Sequence, residues 1–161
     1  PFNKEKITLM NKPRPDLNIQ VNKLSAIPPL TWHQILALRS EIFVVEQQCV
    51  YLDPDDDDIN AMHFYAISDK TVIGYARMLD EHEWKIGRIL IDSKHRGHGY
   101  SRTIVERITN YIKAETNSSK PISLSAQVYL TSFYRELGFA PTGRMYLEDG
   151  IPHIRMVFQR P

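Results

Sequence analysis

The 161-residue sequence predicts one mixed domain of the α/β (α+β) class. Two observations carry that reading. Short segments with alternating or continuous apolar residues are separated by turn signals, as in strands, while two longer segments carry apolar residues at helical spacing. Their order points the same way: an antiparallel beginning leads into strand-helix-strand-helix units, with no internal repeat or low-complexity segment competing.

Pro1–Asn18 holds three prolines and scattered apolar positions, and is expected to be a loose N-terminal segment before a single domain over 19–161. Ile19, Val21 and Leu24 predict a first strand. After Pro28-Pro29, Thr31 and Gln34 have capping-box spacing, and Ile35, Leu36, Leu38, Ile42 and Phe43 line a helix expected to end near Val45. Residues 46–60 lose that periodicity and carry Asp53-Pro54-Asp55-Asp56-Asp57-Asp58, read as a solvated acidic loop. A calcium loop counted from Asp53 needs glycine sixth and glutamate twelfth, where this chain has Asp58 and Phe64, so no calcium site is expected. Ala61–Ile67 and Thr71–Leu79 predict a hairpin across Ser68-Asp69-Lys70. Trp84–Ile91 predicts a further strand, with Gly87 permitting irregular geometry. Ile104, Val105, Ile108 and Ile112 place a helix over Ser101–Ala114. Ile122–Ala126 reads as a strand and Leu130–Leu137 as a helix stopped by Gly138. Met145–Leu147 and His153–Phe158 form a closing hairpin about Glu148-Asp149-Gly150.

Composition narrows the function classes. Hydrophobic content of 42% with 24% charged residues is that of a chain that folds alone. The net charge of +1 supplies no global field for nucleic acid or an anionic membrane, so neither is an expected partner. Cys49, the only cysteine, can form no internal disulfide, and no short histidine, cysteine or acid pattern implies a metal. With no secretory or membrane-spanning pattern at its start, the chain is expected to be cytoplasmic.

The strongest local feature is Ile89-Leu90-Ile91 followed by Arg96-Gly97-His98-Gly99-Tyr100-Ser101 at the start of a predicted helix. Glycines let backbone N–H groups approach an anion, and a helix N-terminus favours a pyrophosphate; a plain helix entry is the competing reading. The segment resembles the pyrophosphate-binding pattern of the GNAT superfamily of acetyl-CoA-dependent N-acetyltransferases, departing at Ser101. Leu38–Cys49 is similar to the corresponding segment of the superfamily's ElaA-like group. Phe133-Tyr134-Arg135-Glu136-Leu137-Gly138-Phe139 resembles the superfamily's other recurring motif, and Tyr146–Ile154 the group's C-terminal pattern. Val50 and Asp56 depart from the group where it carries proline and glycine.

The resemblance implies a GNAT-like, mostly antiparallel mixed sheet flanked by helices, spanning Leu24 to Phe158. It implies acetyl-CoA as cosubstrate and direct transfer to a primary amine: a small amine, a polyamine or a peptide amine. Ile89, Leu90 and Ile91 would contact the cofactor through their backbone, and Arg96, Gly97, His98, Gly99, Tyr100 and Ser101 would hold its pyrophosphate. Tyr134 is implied as the acid that protonates the departing sulfur, against a packing role. Glu46 is the leading acceptor-side acid, with His63 and Asp80 as alternatives and ion pairing with a base such as Arg39 as its structural role. His153 is expected either to face the acceptor or to make a structural hydrogen bond, and is not assigned a catalytic role. A non-catalytic acyl-CoA-binding or regulatory domain is the alternative function, and monomer and homodimer both stay open.

Overall fold

The computed structural model describes residues 17–116 and 118–159. Most of the expected loose segment therefore lies outside the described residues, while Leu17 packs on the core and the Asn18 carbonyl accepts from the Ile67 N–H at 3.1 Å. Seven strands follow: β1 (Ile19–Lys23), β2 (Met62–Ser68), β3 (Thr71–Asp80), β4 (Trp84–Ile91), β5 (Ile122–Gln127), β6 (Phe139–Glu148) and β7 (Ile151–Phe158). They form one sheet in the order β1-β2-β3-β4-β5-β7-β6. Every neighbouring pair is antiparallel except β4 and β5, whose parallel pairing is set by the crossover through a helix. The mixed, mostly antiparallel class expected from the sequence is the one observed.

Among the described residues four α-helices cover the sheet: α1 (Pro29–Arg39), the single-turn α2 (Asp57–Asn60), α3 (Tyr100–Glu115) and α4 (Thr131–Glu136). On one face, α3 buries Ile104, Val105, Ile108 and Ile112 among Phe64, Ala76, Met78 and Ile86. On the other, α1 presses Ile35 and Leu38 onto Tyr65, Val72, Tyr75 and Leu90. The two-residue period of β3 makes this division, sending Tyr75 toward α1 and Ala76 and Met78 toward α3.

Two local expectations are corrected. The capping box of Thr31 and Gln34 does not form: α1 starts from Pro28 with Pro29 in its first turn, where a missing N–H costs no helical bond. Gln34 instead reaches the β2–β3 turn, its Oε1 accepting from the Val72 N–H at 3.1 Å. The acidic stretch is not a solvated loop, because Asp53 and Asp58 are 1% and 3% exposed. Arg39 donates to Asp53 at 2.7 Å and to Asp58 at 2.8 Å; Arg77 donates to Asp58 at 2.8 Å and also pairs with Asp55. Guanidiniums supplied by α1 and β3 neutralise the acids that repulsion had been expected to keep in water.

One irregularity shapes the functional region. β4 and β5 pair over only three rungs, ending at Ile86↔Leu124, and then part. Against β3, Tyr75 to Arg77 faces Gly87 to Leu90, so β4 carries one extra residue. Arg88 takes φ 53 within this bulge. Such an insertion bends its strand and here turns the second half of β4 away from β5.

Candidate active site

The parted strands open a cleft of about 360 Å³. Because pairing with β5 stops at Ile86, the β5-facing backbone edge from Gly87 to Ile91 has no strand partner, and Ile89, Leu90 and Ile91 all line the cleft. Unpaired N–H and C=O groups along an open edge suit a ligand that itself carries amides.

Beyond α1 the chain continues as a π-helical segment, Ser40–Glu46, closed by a bond from the Gln47 N–H to the Ile42 carbonyl at 3.2 Å. Wide turns of this kind gather at functional sites, and this one brings Phe43 and Glu46 to the cleft, with Ile42 packed in the core and bordering the cleft from there. Glu46 does not pair with Arg39, which is committed to Asp53 and Asp58. It pairs with Arg96, carboxylate to guanidinium, at 2.9 Å, with both side chains nearly half exposed. Arg96 also donates from Nε to the Ile91 carbonyl at 3.1 Å, which fixes its stem against β4.

The glycine loop turns as its composition requires. Gly97 and Gly99 both have φ +80, a left-handed conformation that a side chain would strain, and Gly99 is the N-cap of α3. Arg96 and Ser101, at the two ends of the loop, border the cleft; Gly97, His98, Gly99 and Tyr100 between them do not. His98 is exposed and stacks on Tyr100, with ring centroids 5.6 Å apart.

Tyr134, on α4, is 5% exposed, and its ring packs edge-on against Phe133 and Phe139. It borders the cleft, and its hydroxyl has no hydrogen-bond partner among the described residues. Burial pushes the phenol above its ordinary value of 10, so the group keeps its proton at neutral pH.

The alternative acceptor-side acids are placed elsewhere. His63 is fully buried and outside the cleft, bonded through Nε2 to the Asp58 carbonyl at 2.9 Å and through Nδ1 to the Tyr75 hydroxyl at 2.7 Å. A carbonyl can only accept, so Nε2 carries the proton and Nδ1 accepts from Tyr75. Burial lowers its pKa and keeps the ring neutral. Asp80 pairs with Lys120, away from the cleft. His153 does border the cleft; its Nδ1 donates to the Ile151 carbonyl at 2.8 Å, the structural bond that is one of its two expected roles. Cys49 is half-buried on the cleft wall, its Sγ 3.7 Å from the Asp149 carbonyl.

Sequence reasoning missed Arg88. From the bulge it donates to Asp53 Oδ1 at 2.9 Å and the Asp53 carbonyl at 3.3 Å, and its guanidinium lies over the Phe43 and Tyr51 rings. Tyr51 donates to the same Asp53 oxygen at 2.9 Å. Asp53, anchored from behind by Arg39, thus ties the cleft's outer wall to the β4 bulge. Gly87 as a mark of irregular geometry was the only sequence signal nearby. Glu148 and Ser125 were missed as well: they border the cleft, and Ser125 Oγ donates to Glu148 Oε2 at 3.0 Å.

A parallel pair that splits beside a bulge, with a glycine loop at one end and a buried tyrosine bordering the gap, is a fold of the GNAT type. The acetyltransferase (GNAT) domain model matches residues 42–160, and the chain belongs to that family. Its similarity narrows further to the ElaA-like group. Protein ElaA of Escherichia coli is 35% identical over 130 residues, covering 77% of this chain and 84% of ElaA. The crystal structure of E. coli ElaA superposes with a TM-score of 0.81 at 30% identity, over 89% of this chain and 99% of that one. A UPF0039 protein of Synechocystis is 36% identical over 152 residues, 91% of this chain and 97% of its own length. The structure of an acyl-CoA N-acyltransferase from Pseudomonas aeruginosa matches with a TM-score of 0.82 and 32% identity, covering 89% of this chain and all of that one. Family membership makes the chain an acyltransferase of the kind that uses acyl-CoA. Among the described residues no helix is long and apolar enough to cross a membrane.

Proposed function

We propose that the protein transfers the acetyl group of acetyl-CoA directly to a primary amine, with Tyr134 as the general acid. The observation that carries this reading is the Tyr134 hydroxyl: carried on a buried ring, protonated, without a hydrogen-bond partner among the described residues, and bordering the same cleft as the unpaired edge of β4. An orphaned hydroxyl in such a place is paired when a ligand arrives.

The residues present fit acetyl-CoA. The open edge of β4 at Ile89 and Ile91 would pair with the pantetheine amides, while Leu90, whose own N–H and C=O face Tyr75 on β3, would hold that edge in place, and an N–H of this strand near the bulge would stabilise the oxygen of the reacting carbonyl. The pyrophosphate would take the loop formed by Arg96, Gly97, His98, Gly99, Tyr100 and Ser101 at the start of α3. In doing so it competes with Glu46 for Arg96, and a released Glu46 is left facing the cleft as a carboxylate able to accept a proton.

The reaction then balances simply. The amine nitrogen forms a bond to the carbonyl carbon and loses one proton, directly or through water, to Glu46. The carbon–sulfur bond breaks, and the departing thiolate takes a proton from Tyr134, giving free CoA and the acetylated amine. Holding the two reactants together supplies much of the acceleration. The acceptor is a small amine, a polyamine or a peptide amine, and the protein works in the cytoplasm as a monomer or homodimer.

Tyr134→Phe tests the assignment. Loss of the acid should lower kcat by about 10²-fold or more while acetyl-CoA affinity measured by calorimetry is retained. A variant with normal turnover removes Tyr134 from the chemistry. A wild-type protein that binds acetyl-CoA but acetylates no amine favours the non-catalytic binding domain instead.

A further inference from the structure

Beside the cleft, on the α1 face of the sheet, lies a second cavity of about 300 Å³. Leu79 and Tyr146 wall it, and the segments 85–87 and 123–125 form its floor. Ile86, Gly87 and Ser125 border both cavities, so the two meet at the point where β4 and β5 begin to part. No atom lies within 4 Å of where a Cβ on Gly87 would stand. The missing side chain leaves a doorway.

The two sides of the doorway offer different chemistry. Ser125 donates its single hydroxyl proton to Glu148, so its close contact with the Tyr146 hydroxyl must run the other way, from Tyr146 to Ser125. This chain crosses the doorway and orients the Glu148 carboxylate on the cleft side, with Oε2 bonded and Oε1 left for another donor. In the groove, by contrast, the cations are already matched. Arg77 pairs with Asp55 and Asp58, Lys85 with Glu81 at 2.6 Å, and Arg155 with Glu83, a nearly buried carboxylate. The groove's remaining offer to a ligand is the Leu79 side chain, the Tyr146 ring and the aliphatic stems of Lys85 and Arg155.

Building on the acyl-transfer reading above, we infer that the acceptor is a primary amine on an uncharged, apolar arm, whose ammonium docks on Glu148 at the doorway while the arm lies in the groove against Leu79 and Tyr146. A charged arm would have to displace an existing ion pair or be desolvated without a partner. The amine, once it loses its proton, stands at the mouth of the cleft where the β4 edge and Tyr134 face it.

The test compares four amines with the full chain at saturating acetyl-CoA: hexylamine, ε-aminocaproate, hexamethylenediamine and methylamine. Hexylamine should exceed each of the others in kcat/KM by about tenfold or more, the discrimination an apolar pocket provides. Leu79→Arg should cut the ratio of hexylamine to methylamine turnover by about fivefold or more, and Glu148→Gln should raise the KM for hexylamine about tenfold, with acetyl-CoA affinity checking that each variant folds. Should Leu79→Arg fail that check, Tyr146→Ala on the exposed edge strand carries the same ratio test. Equal kcat/KM across the panel, or preference for a charged arm, overturns the groove assignment and leaves amine acetylation standing. If no amine is acetylated, the transfer reading falls instead, and saturation-transfer NMR of hexylamine on the CoA-loaded protein decides the groove. A signal lost in Leu79→Arg supports it; an equal signal, or none in wild type, overturns it.

Discussion

Tyr134 carries its proton into the alkaline range because burial disfavours the phenolate. The amine, in contrast, must shed a proton before it can attack. Activity should therefore rise with pH from neutrality toward 10, with no descending limb from Tyr134 below its ordinary value of 10. A falling limb in that range that disappears in Tyr134→Phe contradicts the account. Glu46 makes an opposite pair of effects visible in one variant. Glu46→Gln releases Arg96 for the pyrophosphate, so acetyl-CoA should bind up to about fivefold more tightly, the worth of an exposed ion pair, while kcat falls. Calorimetry and steady-state rates on the same preparation check both directions. These two residues, with Arg96, Ser101 and Ile89 to Ile91, were legible because they sit in short contiguous motifs. Arg88 and Asp53 were not. They meet across 35 positions of sequence through a positive φ at a non-glycine residue, and neither feature leaves a periodic or compositional trace.

The acidic stretch before β2 behaves as a structural element despite its composition. It is held by three arginines from α1, β3 and β4 rather than by apolar packing. Repulsion among its acids was readable in the sequence; the partners that cancel it were not, since Arg39, Arg77 and Arg88 come from three separate elements. Removing one buried member leaves charge unmatched, so Asp58→Ala should cost about 3 kcal/mol in denaturant unfolding, whereas Glu136→Gln, which breaks an exposed pair with Arg102, should cost less than about 1 kcal/mol. The same element sets the acid sensitivity. Burial keeps His63 neutral below its usual 6.5, so an unfolded chain takes up a proton there that the folded one refuses, and stability falls as pH drops through 6.5. Asp55, through its bonds to Arg77, lies below its usual 3.8; burial would raise Asp58, but Arg39 and Arg77 outweigh it and hold it lower too. Their contribution is present above 3.8 and is lost as pH falls further. Unfolding midpoints at a series of pH values should decline in those two stages, with the first absent in His63→Gln.

For the molecule as a whole, one sheet does two jobs: its continuous half around β2 and β3 holds the core, and its split between β4 and β5 opens the candidate site. The class of sheet and the helix that crosses it followed from alternation and from the 3.6-residue pattern of Ile104 to Ile112. The split did not, because β4 and β5 keep their strand character in sequence even where they no longer touch. A ligand that bridges the open edge should stabilise the fold by mass action, about 2.7 kcal/mol at a hundredfold excess over its Kd, read as a rise in Tm with acetyl-CoA. The most direct test of the central claim is product analysis of the purified wild-type chain with acetyl-CoA and a panel of primary amines, each reactant omitted in turn. The account predicts free CoA and acetylated amine in equal amounts, formed only when both reactants and the protein are present. Saturable acetyl-CoA binding with no acetylated amine across the panel would contradict it.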